Sequence, residues 1–353
     1  QVVPLRPDLA RSRARASRLD ALRVGAAGLV VFVHASAGPA SLSPDSATPM
    51  TRALAGSAFR LASSLAVPTF LLLAFLQLAP ALGARTDLRR VAQRCARIVP
   101  VYLFWTALYG AMKLASGEVR PTASVVAQYV LLGSSAAHLY FLPLLLVLTA
   151  LAPAWMWLAR RPALGAAAAL ALSLGASYLS GFAGTGVWPR SLLGMAGNAA
   201  YAVAGAALAL WWRGGEPATE RRRLAFAISL GLALAAGAIV AAHGAAEGLA
   251  AAALPATLAS RIARVAFPIA TLCAVLSSQV RLPGWTATLA PLTFGIYLVH
   301  PLVLVPIRML EARVGHLASH DVLLALPNAL LGFAAAALAV LVLFDTRLRR
   351  VLA

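Results

Sequence analysis

Two histidines sit where a membrane chain tolerates few ionisable groups. The segment Arg18-Leu-Asp-Ala-Leu-Arg23-Val-Gly-Ala-Ala-Gly-Leu-Val-Val-Phe-Val-His34 reads as an apolar helix with a cation at its mouth and an imidazole well inside. At 1.5 Å per residue, Arg23 and His34 lie ~16 Å apart along the axis. An ionisable group at that depth is costly, so each is a functional-site candidate by default. Imidazole titrates near neutral pH, so it can take a proton as a general base or carry a group as a nucleophile. For His34 a hydrogen bond between helices is the structural alternative. The second histidine stands in Pro291-Leu-Thr-Phe-Gly-Ile-Tyr297-Leu-Val-His300-Pro301. His300 is reached at a similar depth, and Tyr297, three residues earlier, shares its face. Pro301 and Pro306 are expected to break the helix there, freeing carbonyls that only a protein-lined or wet cavity accommodates. Matching depths suggest one shared site.

A third group is cationic: Arg85, Arg89, Arg90, Arg94 and Arg97 precede Ile98-Val99-Pro100. Arg90, Arg94 and Arg97 follow i, i+4, i+7 spacing, which places their guanidiniums on one helix face at the lip of a span. Arginine suits bidentate phosphate binding, so a phosphate-bearing cofactor is one reading and topological anchoring the other. Arg23 by itself fits a snorkelling anchor. Ser17 and Asp20 fit a helix-starting capping pair, with Asp20 also offsetting Arg23 one turn on. His138, in His138-Leu-Tyr140-Phe-Leu-Pro143, falls at the outer mouth of a span, either exposed or part of a site; an interfacial aromatic belt accounts for Tyr140 and Phe141. His243, His316 and His320 are expected to be solvated in external loops.

The elements that must position these residues are membrane helices. Of 353 residues 61% are hydrophobic and 12% charged, too few charges to cover a soluble domain of this size. The formal charge of +19 is arginine in origin, with Lys113 the single lysine among 30 basic residues. These arginines cluster between long apolar stretches, which excludes a nucleic-acid groove and marks membrane-flanking loops. Apolar windows of ~20 residues fall at 21–37, 57–79, 99–116, 138–158, 163–182, 192–212, 223–243, 262–279, 288–308 and 323–345. The fold class expected is an all-α polytopic membrane protein of ten transmembrane helices. Segment 122–135 is too short to span easily and reads as an interfacial or re-entrant piece. Most basic residues fall in the N-terminal tail, the even-numbered loops and the C-terminal tail, which places both termini in the cytoplasm. The expected organisation is a basic tail over 1–20 that is no signal peptide, one membrane domain over 21–346, and a short tail over 347–353. Cys95 and Cys273 match no metal spacing and imply no disulfide framework.

No Asp or Glu is expected inside any span, which disfavours a proton-coupled transporter. No P-loop, HExxH, GxSxG or CxxC pattern is present. The motifs in order resemble the acyltransferase 3 family of integral-membrane acyltransferases. Arg23 and His34 match its basic-x10-His opening, and Val67-Pro-Thr-Phe-Leu-Leu-Leu73 resembles its Val-Pro-Leu-Phe-Phe-Val-Leu. Arg94-Cys-Ala-Arg97 matches its R-x-x-R, His138-Leu-Tyr-Phe-Leu-Pro143 resembles its His-Leu-Trp-Phe-Leu-Pro, and Thr293-Phe-Gly-Ile-Tyr-Leu-Val-His300 its Ser-Tyr-Gly-Ile-Tyr-Leu-Leu-His. The chain departs from the family at Ala74-Phe75, where a Ser-Gly is usual, at Tyr140 for Trp, and at Thr293-Phe294 for Ser-Tyr.

The resemblance implies transfer of an acyl group, usually acetyl, from cytoplasmic acyl-CoA to a hydroxyl of a surface or exported polysaccharide or its lipid-linked precursor. It implies a bacterial inner-membrane enzyme without a metal, working beside polysaccharide biosynthesis machinery. With no further domain expected after the tenth span, the membrane domain would finish the transfer or hand the acyl group to a partner. His34, His300 and Tyr297 are then the catalytic candidates, and Arg23, Arg90, Arg94 and Arg97 the candidates for acetyl-CoA. His138 and Tyr140 are the candidates for the acceptor. Succinyl transfer to a glucan is the alternative within the enzyme class. A transporter or flippase for a polyprenyl-linked sugar is the alternative outside it.

Overall fold

The structure is a computed structural model that describes residues 7–36, 48–82, 87–180, 182, 187–212, 219–250, 252, 254–280, 282–314 and 322–344. Arg6, Arg85, His316, His320, Asp345 and the tail 347–353 lie outside the described residues. All regular structure among the described residues is helical. Two compact units form, one from Gln1–Phe70 with Glu216–Arg349 and one from Leu71–Gly215. The helix that bridges their sequences, α2 (Pro49–Leu82), gives its first part to one and its last part to the other.

The first unit contains α1 (Pro7–Ala35), the start of α2, α10 (Thr219–Ala250), α11 (Leu258–Ser277), α12 (Trp285–Leu289), a 3-10 turn at Ala290–Leu292, α13 (Thr293–Val314) and α14 (Val322–Phe344). Helix α1 packs on α13 and α14, while α10 pairs with α11. Small residues let α10 touch α2 backbone to backbone. A Cβ on Gly56 would lie 2.0 Å from the Gly244 carbonyl oxygen, and one on Gly248 2.0 Å from that of Arg52. The Gly244-x3-Gly248 pair is thus a close-packing seam of the kind membrane helices use.

The second unit contains the end of α2, α3 (Leu88–Ala115), α4 (Ala123–Leu132), α5 (Phe141–Ala150), α6 (Ala152–Ala159), α7 (Pro162–Leu179), α8 (Val187–Gly197) and α9 (Ala199–Trp212). Its core gathers Leu71, Leu72, Phe75 and Leu76 of α2 with the Ala-rich face of α9. The segment read as interfacial is the ten-residue α4, capped by Thr122 at its start and by Gly133 at its end. The expected fourth span is broken. α5 and α6 meet at 65° because Pro153 lacks an N–H and its ring collides with the preceding turn. Trp155 holds the bend by donating its indole N–H to the Leu148 carbonyl at 2.9 Å.

Among the described residues, eight helices are long and apolar enough to cross a membrane, or nine if the bent α5–α6 pair counts as one. They present exposed leucines such as Leu230 and Leu234 on α10 and Leu330 and Leu338 on α14, which lipid solvates without penalty. Helix α1 is not among the eight, because Arg18, Asp20 and Arg23 charge the first turns of its apolar half.

Three expectations change here. Residues 7–20, read as tail, are the start of α1, so Ser17 and Asp20 lie inside a helix and cap nothing. Pro301 and Pro306 leave α13 continuous over Thr293–Val314, and at Pro301 the carbonyl that loses its helical donor is taken by the His300 side chain. Glu247 is an acid inside a helix: α10 runs to Ala250, past the expected end at 243, and buries that carboxylate completely.

Candidate active site

His34 is the last residue but one of α1, so its carbonyl is one of the four that a helix end leaves without an internal donor. Arg308 of α13 donates its guanidinium to that carbonyl, fixing the end of α1 against α13. The His34 side chain stays partly exposed, while His300 is fully buried beside it. The two rings stand 5.0 Å apart between centroids, inclined by 43°. The structure therefore brings together the two histidines that depth alone paired in the sequence.

His300 is held by a feature of its own helix. A residue at 301 would ordinarily donate its N–H to the Tyr297 carbonyl, but proline has none. The Nδ1 of His300 occupies that carbonyl at 2.7 Å. A carbonyl oxygen only accepts, so the proton of the neutral ring sits on Nδ1 and Nε2 carries the lone pair. Tyr297 is buried as well, against Phe70 at 6.2 Å and stacked on Phe294 at 6.5 Å, with the His300 ring 6.2 Å away. The arrangement can accept a proton, or an acyl group, at an imidazole open to a substrate and backed by a second imidazole in an aromatic wall.

Near the middle of α1, Arg23 donates to the Asp20 carboxylate at 2.7 Å, one turn apart and both partly exposed. Arg18 is buried and donates to the Ser278 carbonyl at 2.6 Å, which Arg222 also reaches at 2.6 Å while bonding Ser277 at 3.1 Å. These two arginines close the C-terminal end of α11, where the last carbonyls carry partial negative charge.

In the second unit the arginine face of α3 forms as the spacing predicts, with Arg90, Arg94 and Arg97 all exposed. Asp87 caps the helix by accepting from the Arg89 and Arg90 amides. The Arg90 guanidinium turns back onto Asp87 at 3.2 Å and onto the Ala81 carbonyl, so it has a structural task. Arg94 and Arg97 carry the exposed charge of that face. His138 is not exposed: it is buried with its ring 5.2 Å from Tyr109, edge to face. Gly133 places that loop, with φ +69 and a backbone so near Leu139 that a Cβ would lie 2.7 Å from its carbonyl oxygen. Tyr102 ties α3 to the end of α4, its hydroxyl shared between the Tyr129 and Val130 carbonyls at 2.9 and 2.8 Å. Tyr140 is exposed at the start of α5.

Sequence reasoning missed a second polar cluster in the first unit. Arg60 of α2 grips Glu247 of α10 through its Nε and Nη2. The Leu254 amide donates to the same carboxylate at 3.3 Å, and His243 Nε2 stands 3.6 Å from it. His243 thus lies in a helix and against an acid, not in a solvated loop. A signal was available: Arg60 interrupts an apolar run, and a charge there calls for an opposite one. Among the described residues no group of three His, Cys, Asp or Glu gathers as a metal would require.

No curated protein and no solved structure matches the chain. A family model described as an acyltransferase domain matches residues 17–345, which spans both units and nearly the whole sequence. With that match over the histidine pair and the arginine face alike, the chain belongs to the acyltransferase 3 family.

Proposed function

We propose that this membrane acyltransferase moves an acetyl group from cytoplasmic acyl-CoA to a hydroxyl of a surface or exported polysaccharide, or of its lipid-linked precursor. The observation that carries the reading is the His34–His300 pair, 5.0 Å between rings, inside an acyltransferase-family chain. His34, the more accessible ring, takes the proton of the acceptor hydroxyl as general base. The hydroxyl oxygen attacks the thioester carbonyl, the C–O bond forms, the C–S bond breaks, and the proton passes to the CoA thiolate. His300 and Tyr297 support His34 and the developing oxyanion. Arg23, Arg94 and Arg97 are each candidates for the 3′-phosphate and pyrophosphate of the donor. His138 and Tyr140 serve the acceptor.

The enzyme acts in a bacterial cytoplasmic membrane, with ten spans and both termini in the cytoplasm. The eight long apolar helices among the described residues support that count if the bent α5–α6 pair and α1 each cross as well. It works beside polysaccharide biosynthesis machinery. Glu247 removes the lack of buried carboxylates as an argument against transport; family membership now separates the two readings, and the Glu247 carboxylate is already engaged by Arg60.

The test is transfer of label from acyl-CoA to total surface polysaccharide in a deletion strain complemented with wild type or with His34→Gln. Glutamine keeps a hydrogen-bonding side chain of similar length but does not take up the proton. Turnover should fall by the ~10²–10⁴-fold that loss of a general base brings, at normal protein level and donor binding. Glycan labelling by the variant equal to wild type would remove His34 from the chemistry. Label from succinyl-CoA in place of acetyl-CoA would change the donor assigned.

A further inference from the structure

We propose that Pro301 is a positioning residue that sets the tautomer of His300. Three observations bear on it. Pro301 lies inside α13, where its missing N–H leaves the Tyr297 carbonyl without its helical donor. The His300 side chain bonds that same carbonyl through Nδ1 at 2.7 Å. The ring so held faces His34 at 5.0 Å. A buried neutral histidine has two tautomers, and the bond made by one nitrogen decides which other nitrogen is basic. By withholding a competing backbone donor, Pro301 reserves the Tyr297 carbonyl for Nδ1–H and keeps the lone pair on Nε2. It also restrains the ring, since a side chain bonded to the turn beneath it loses rotamer freedom. A proline directly after the histidine is the position that does this, because residue i+1 is the one whose amide would reach carbonyl i−3.

The sequence provides an internal control. Pro306 also lies inside α13, but the residue before it is Val305, which has no side chain to use the freed carbonyl. Two prolines in one helix thus each free a carbonyl, and only Pro301 follows an imidazole that can take it up.

The proposal rests on the acyl-transfer reading for its consequence, not for its measurement. The full chain labelled with 15N-histidine, in nanodiscs at neutral pH, reports ring protonation by NMR, with His300→Asn identifying the resonances. Wild type should show Nδ1 protonated and Nε2 bare. In Pro301→Ala the restored amide competes for the Tyr297 carbonyl, and the ratio of tautomers should move toward Nε2–H by about 2- to 12-fold, the factor one net hydrogen bond represents. kcat for acyl transfer should fall by a similar factor with the donor KM unchanged, and Pro306→Ala should alter neither readout. An Nε2–H ring in wild type, or the same ring protonation in Pro301→Ala as in wild type, would overturn the role of Pro301. A tautomer shift in a protein that transfers no acyl group would leave that role standing and overturn the proposed function instead.

Discussion

Replacing Glu247 by Gln should weaken the first unit by about 3 kcal/mol, and the structure shows why so small a change costs so much. The carboxylate is fully buried and accepts from Arg60 through both its oxygens and from the Leu254 amide at 3.3 Å. Glutamine turns one oxygen into an amide NH2 that faces a guanidinium N–H, donor against donor. It also leaves the Arg60 cation without its counter-charge. Breaking a buried pair by removing one partner typically costs 3–5 kcal/mol. The lower end applies here, because the Arg60 side chain is 24% exposed and can relax toward the lipid–water interface. The double variant Arg60→Leu/Glu247→Leu removes both charges and should regain much of the loss, since apolar pairs of similar volume often match a buried ion pair. Unfolding by SDS titration from mild-detergent micelles, followed by tryptophan fluorescence, reads all three proteins on one scale. Equal midpoints for Glu247→Gln and wild type would refute the reasoning, as would a double variant no more stable than Glu247→Gln.

Tyr102→Phe deletes the hydroxyl shared by the Tyr129 and Val130 carbonyls and should cost ~0.5–1.5 kcal/mol in the same assay, while donor affinity stays unchanged. Arg94→Ala with Arg97→Ala should weaken acyl-CoA binding by ~2–5 kcal/mol in equilibrium titration, and equal affinity in mutant and wild type would assign both to anchoring. Reporters fused after Arg223 and Arg350 should read cytoplasmic and one near His316 external; an external C-terminus would mean an odd number of spans. Gly133→Ala should destabilise the second unit, because Gly133 has φ +69 and a Cβ there would lie 2.7 Å from the Leu139 carbonyl oxygen; an unchanged unfolding midpoint would show that this loop yields.

The histidine pair was legible because depth along an apolar run is a one-dimensional quantity: His34 and His300 each lie about a dozen residues from an end. The arginine face of α3 was legible for the same reason, since i, i+4, i+7 spacing needs no partner. What stayed hidden depended on partners far away in sequence. Glu247 meets Arg60 across 187 residues, and the apolar window of α10 ends at 243 although two ionisable groups, His243 and Glu247, stand within the helix's last turns. Paired, they extend the helix instead of ending it. Ser17 and Asp20 misled in the opposite sense, because a capping pattern implies a helix start only where the preceding residues leave the helix, and residues 7–16 do not.

The formal charge of +19 has a physical outlet that composition alone did not reveal. Arg90 reaches the Ala81 carbonyl in the last turn of α2, Arg308 the His34 carbonyl in the last turn of α1, and Arg18 and Arg222 the carbonyls at the end of α11. Each cation lies on the partial negative charge of a helix C-terminus, an interaction worth ~0.3–1 kcal/mol in water. It also satisfies a carbonyl that lipid would leave without a donor. Carbonyls take up these cations, with Asp87 beside Arg90, which is how a chain with 30 basic and 11 acidic residues keeps cations at its helix ends. Anchoring and phosphate binding were the two readings open for this chain's arginines, and capping is a third that accounts for these four. Arg90 and Arg308 are exposed as well but are turned onto helix-end carbonyls, whereas Arg94 and Arg97 stand on the open face of α3. That contrast, more than their number, is the reason to look for the donor's phosphates there.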